Sequence, residues 1–140
     1  MDNNFNVIIC GSREFTDYNL LKEKCDLFLS NRIEKGENIV IISGGARGAD
    51  SLAERYAKEK GFELKVVPAQ WDKYGKRAGY LRNNRMAEIG NACIAFLDNT
   101  ECRGTKMMIN IAREKHLLVR EVKKENDVSK ETTETKTIQS

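Results

Sequence analysis

The chain has 140 residues, 40% of them hydrophobic and 32% charged, a composition that fits one globular domain and excludes a disordered or collagen-like chain. Its longest strongly apolar stretches, residues 38–43 and 92–97, fall far short of the roughly 20 residues that span a bilayer, so no membrane crossing is expected. The 24 basic and 21 acidic side chains leave a net charge of +3, too small for a general nucleic-acid binder.

The opening MDNNFNVIICGSR has neither the positive start nor the apolar run of a secretory signal, and a cytoplasmic location is expected. Of the four cysteines, no two form a CxxC pair, and Cys10 and Cys93 sit in apolar runs, so buried free thiols are expected. His116 is the single histidine, which argues against a metal site and against a Ser/His/Asp triad. No cofactor is expected.

Apolar, β-branched runs at 5–10, 39–43, 63–68, 92–97 and 117–122 predict strands buried on both faces. After the first, Asp17 is a candidate helix cap, Leu21, Cys25, Phe28 and Leu29 share one helical face, and Gly36 is a stop. Leu52, Ala53, Tyr56 and Ala57 repeat the pattern before Gly61. Met86 to Ile89 predicts a shorter helix, and Met108, Ile111, Ala112 and Lys115 mark a last one. Strands alternating with helices predict an α/β fold, an open parallel sheet of about five strands with helices on both faces. The domain is expected to cover residues 1–122, with 123–140, rich in Thr, Lys and Glu, as a disordered polar tail.

Open parallel sheets bind ligands beyond the carboxyl ends of their strands. After the first strand, Gly11, Ser12 and Arg13 form a turn bearing a hydroxyl and a guanidinium. After the second, Ser43, Gly44, Gly45, Ala46, Arg47, Gly48 and Asp50 lead straight into a helix. Glycines there let the main chain approach a ligand, and free N–H groups at a helix start attract a phosphate; a tight turn with helix packing is the alternative. The spacing is neither Walker A nor GxGxxG. After the fourth strand, Asp98 to Thr105 brings Gly104 and Thr105 to another helix start, where Thr105 serves either as an ordinary cap or as a phosphate ligand.

Between the third and fourth strands, Trp71, Tyr74 and Tyr80 are interleaved with Lys76, Arg77, Arg82 and Arg85. Residues 71–85 carry five basic side chains against Asp72 alone. An aromatic ring there would stack on a base while a guanidinium grips phosphate, and Gly75 and Gly79 would let the loop close over a ligand. A packed tryptophan on a solvated basic face is the alternative.

The segments GSREFTD, SGGARGADSLAERYA, PAQWDKYGKRAGYLRNNRM and IAFLDNTECRGTKMMI, in this order, resemble the SLOG superfamily in its small stand-alone YspA-like branch. The resemblance runs from Val7 to about Val122. It implies a Rossmann-like sheet and a pocket for a nucleotide or nucleotide-derived molecule. It also connects the chain to the Lonely Guy phosphoribohydrolases, which cleave the N-glycosidic bond of cytokinin nucleoside monophosphates, and to the DprA proteins, which bind single-stranded DNA. The related enzymes carry RKxxM followed by PGGxGTxxE. Here Arg82-Asn83-Asn84-Arg85-Met86 keeps the arginine and the methionine, and Gly104-Thr105 keeps the GT. Met108 stands where the catalytic glutamate of that motif falls, and a longer loop replaces PGG.

Cleaving an N-glycosidic bond builds positive charge on the ribose, which a methionine cannot stabilise. Arg82, Asp98 and Glu101 remain as candidate catalytic groups, with Asp50 a further carboxylate from a neighbouring loop. The expectation is therefore binding without turnover, by a sensor or a protein that sequesters a nucleotide signal. The superfamily's link to conflict between bacteria and their viruses implies an ADP-ribose-like or cyclic messenger. Hydrolysis of a nucleoside 5′-monophosphate and single-stranded DNA binding through residues 71–85 are the alternatives. Related enzymes are commonly dimers, and a homo-oligomer is expected.

Overall fold

The computed structural model describes residues 3–100 and 102–124. Glu101 and, beyond Lys124, the expected tail lie outside them. In chain order the elements are β1 (Asn4–Gly11), α1 (Tyr18–Glu34), β2 (Asn38–Ser43), α2 (Ala49–Lys60), β3 (Glu63–Val66), α3 (Trp71–Tyr74), a 3₁₀ turn at Gly75–Arg77, α4 (Ala78–Ile89), β4 (Ala92–Leu97), α5 (Arg103–Glu114) and β5 (Leu118–Lys123). The strands form one sheet in the order β3-β2-β1-β4-β5, with every neighbouring pair parallel. This is the expected Rossmann-like α/β fold. From β1 the chain builds outward to β3, then returns to place β4 against the free side of β1, which creates a topological switch point between β1 and β4.

Alternation along β1 sends Val7 and Ile9 to one face and Ile8 and Cys10 to the other. On the first face they pack with Leu21, Cys25 and Leu29 of α1 and Ala53, Tyr56 and Ala57 of α2. On the second they meet Met86 and Ala87 of α4 and Met108, Ile111 and Ala112 of α5. The predicted caps hold: Asp17 accepts the Leu20 amide at 3.0 Å, and Gly61 closes α2 at φ +74°. All four cysteines are buried, with Cys10 and Cys93 sulfurs 3.8 Å apart across β1 and β4.

Two expectations are corrected. Burial on both faces holds for β1, β2 and β4, but β3 and β5 are edge strands with largely exposed or half-buried residues. The segment read as a closing loop is instead α3, a 3₁₀ turn and a 12-residue α4, so the short helix expected at 86–89 starts at Ala78. Among the described residues no helix is long and apolar enough to cross a membrane.

Candidate functional site

β1 and β4 diverge just past their last paired residues, Gly11 and Phe96, where the Ser12 amide makes a final bond to the Phe96 carbonyl at 3.0 Å. A cleft of about 600 Å³ opens there. The β1 loop supplies Gly11, Ser12, Arg13 and Glu14; the α2 entry supplies Ala46, Arg47 and Asp50; α4 supplies Arg82, Asn83 and Met86. Thr100, Cys102, Arg103, Gly104, Thr105 and Met108 close it from the β4–α5 side, with Cys10 among the residues lining it. The three loops named from the sequence thus meet at one rim.

Gly11 and Gly48 are what allow the first two loops to touch. A β-carbon on Gly11 would run into the Ala49 side chain at the start of α2 and into the Phe96 carbonyl oxygen, and one on Gly48 into the Ser12 oxygen and the Arg13 main chain. Gly48 also holds φ +77°, a left-handed conformation that favours glycine.

Arg82 reaches from α4 to the glycine-rich loop. Its Nη1 donates to the Gly44 carbonyl at 2.7 Å and its Nε to Asn83 Oδ1 at 2.8 Å, so the guanidinium is pinned at two points. Asp50 faces the same space. Burial raises its pKa, against the Ala46 amide at 3.1 Å and the Arg82 and Arg13 charges, which lower it. Burial likewise lowers the pKa of Arg82.

The glycine-rich loop satisfies several of its own donors. The Gly45 amide donates to Ser43 Oγ at 3.1 Å, the Ala46 amide to Asp50, and the Ala49 amide to the Ser12 carbonyl at 3.1 Å. The start of α5 differs: Cys102 takes the cap position with its thiol turned to the Thr100 carbonyl at 3.2 Å and not to the helix amides, and Gly104 and Thr105 line the cleft from the first turn. First-turn amides have no intrahelical acceptor, so this end is the more receptive to an anion. Thr105 stands inside the helix, which leaves the capping role expected of it to Cys102.

Ser12 and Asp98 act within the frame of the cleft. Thr100 Oγ1 donates to Asp98 Oδ1, and Ser12 Oγ lies 2.9 Å from that hydroxyl. With the Thr100 proton committed, Ser12 is the donor, while it accepts the Glu14 amide at 3.0 Å. This chain ties the β1 loop to the β4 loop. Burial raises the Asp98 carboxyl, but the Thr100 hydroxyl and amide hold it below the usual range.

A second chamber of about 300 Å³ adjoins the first, lined by Gly44, Gly45, Pro68, Ala69 and Trp71 and sharing Arg13, Ala46, Arg47 and Arg82 with it. Trp71 is 54% exposed. Tyr74 and Arg77 line neither chamber, nor do Ser43, Gly48 and Asp98. Ser43 is buried and donates to Glu54 at 3.0 Å.

Residues that the sequence reading did not name as ligands, Cys10, Glu14, Met86, Thr100, Cys102, Arg103 and Met108, also line the main cleft. Five of them adjoin the named loops, while Met86 and Met108 were singled out by the resemblance, as the retained methionine and as the residue in place of the glutamate, and not as ligands. Cys93 and burial push the Cys10 thiol well up, which makes it a poor nucleophile.

The fold and site define a class, an open parallel α/β domain with an arginine-lined cleft at its switch point. The chain belongs to the YspA, cpYpsA-related SLOG family, whose sequence profile matches residues 5–74. That family supports nucleotide-related ligand binding or processing. The "Gene 61 protein" of Mycobacterium phage D29 is 35% identical over 97 residues, 64% of this chain and 74% of its own length. The profile match contains the β1 and α2 loops and Trp71, while Arg82, Asn83 and the start of α5 lie beyond it.

Proposed function

We propose that the cleft binds a nucleotide or nucleotide-derived molecule without turning it over. The observation that carries this reading is the meeting of Arg13, the pinned Arg82 and the first turn of α5 around one cavity. In this reading the phosphate lies against Gly104 and Thr105, the sugar beside Arg82 and Asn83, and a base extends toward Trp71 in the smaller chamber. The Arg13 guanidinium makes no ion pair or hydrogen bond among the described residues, which supports its use by a ligand. Sequestration or sensing of an ADP-ribose-like or cyclic signal is the finer form of the proposal.

Absence of turnover is supported by the acidic groups described at the rim. Asp98 accepts from Thr100, Asp50 accepts from Ala46, Glu14 pairs with Arg47 at 3.0 Å, and the buried Met108 occupies the cleft wall. Native mass spectrometry of gently purified protein, with release and identification of any bound molecule, tests occupancy and chemistry together. An intact nucleotide-like ligand is expected. Free base with ribose 5-phosphate would establish the phosphoribohydrolase alternative, and failure of every nucleotide tried to bind or raise the melting temperature would end the proposal.

A further inference from the structure

Asn83 stands apart from the other polar groups of the cleft. It is 3% exposed, on α4, and lines the main cavity. Its Oδ1 accepts from Arg82 Nε at 2.8 Å, but its Nδ2 has no acceptor among the described residues. Thr105, 7% exposed across the same cavity, likewise has a hydroxyl with no partner among them. Buried donors are almost always satisfied, because leaving one unpaired costs its full desolvation. Two such groups, on α4 and α5, border one cavity.

Resting on the reading of the cleft as a nucleotide-ligand site, we propose that Asn83 is its specificity-determining residue, fixing Arg82 and donating through Nδ2 to an oxygen of a phosphorylated sugar. The two polar atoms of one carboxamide divide the work. Oδ1 faces the protein and sets the plane of the guanidinium, so Nδ2 is left to face the ligand. A carboxamide can do both at once; a carboxylate keeps the first role and loses the second.

That division gives the test. Ribose 5-phosphate and AMP are titrated calorimetrically into wild type, N83D and N83L. Asn83→Asp preserves an acceptor for Arg82 Nε and removes the donor; Asn83→Leu keeps the branched shape and removes both. Both variants are expected to bind about ten-fold more weakly or worse. The N83D loss is expected to persist in about 0.5 M salt, where like-charge repulsion is screened. N83D binding within two-fold of wild type, or regaining wild-type affinity in salt, would show that Asn83 only holds Arg82 and would overturn the inference while leaving the binding reading intact. If N83D fails to fold, N83L is compared with R82A: a larger loss in N83L upholds the donor role, and an equal or smaller one overturns it. Wild type that binds neither probe would remove the binding reading, and this inference with it.

Discussion

Arg82 and Gly44 are fitted to each other. The guanidinium donates to the Gly44 carbonyl at 2.7 Å, and a β-carbon on Gly44 would sit 2.5 Å from that same Nη1 and 2.9 Å from Asp50 Oδ2. The bond joins the glycine-rich loop to α4, so the absence of a side chain at residue 44 fixes where the central cation of the cleft lies. Gly44→Ala should displace Arg82, and Arg82→Ala should remove it. Each is expected to weaken ribose 5-phosphate binding about ten-fold or more, the scale of a lost charge-assisted hydrogen bond. Calorimetric titration checks it; unchanged affinity in both variants would remove Arg82 from the site.

Gly48 has a structural role. Its φ of +77° and the Ser12 and Arg13 main chain pressed against it leave no room for a methyl group. Gly48→Ala is expected to cost about 2 kcal/mol or more, lowering Tm by roughly 6–10 °C. Gly36, also at positive φ but with open space around it, should suffer only the backbone penalty on the same substitution. Thermal denaturation of the two alanine variants side by side tests the difference.

The Ser12–Thr100–Asp98 chain predicts that Asp98 positions loops and performs no proton transfer. Ser12→Ala and Asp98→Asn should each cost about 1 kcal/mol. The double variant should cost less than the two together, since both break one network. A denaturant double-mutant cycle measures this. Additive losses would mean that the two residues act independently.

Asp17 ties the start of α1 to the end of the described chain, capping the helix and pairing with Lys124 at 2.7 Å. The Lys124 ammonium holds its carboxyl below the ordinary value, against an upward push from burial and with a lesser contribution from the Leu20 amide. A carboxylate depressed on folding contributes stability above its unfolded pKa and loses it as pH falls through the lowered folded value. Asp17→Asn keeps a capping oxygen while removing the charge. It should therefore narrow the gap between wild-type stability at about pH 7 and about pH 3. Urea midpoints at both pH values test it, and an unchanged gap would show that other carboxylates set the acid response.

Trp71 lines only the smaller chamber. Its removal should discriminate between probes: Trp71→Ala is expected to weaken AMP about five-fold to 100-fold, the range of a lost base–aromatic stack, and to leave ribose 5-phosphate unchanged. Equal effects on both probes would place the base elsewhere.

Much of the architecture was legible because its causes are local. Strands covered on both faces need unbroken apolar runs, and residues 39–43 and 92–97 display them. Asp17 and Gly61 announce helix ends because capping uses the neighbouring backbone. The start of α4 was hidden: Gly79, Asn83 and Asn84 are weak helix formers, and burial of Ala78, Asn83, Met86 and Ala87 against the rest of the fold outweighs them.

The alternation of strands and helices and the three loops that could carry a site are written in the order of residues alone. Folding of the whole chain set β3 and β5 at the edges, because a strand's flank is left uncovered by its place in the sheet order. It also decided which polar groups remain available. Asp50 satisfies the Ala46 amide and Ser12 is spent on Thr100, whereas Asn83 Nδ2 keeps no partner among the described residues. The Ser12–Thr100 bond joins loops 88 residues apart in the chain, a pairing that no spacing within a single motif encodes.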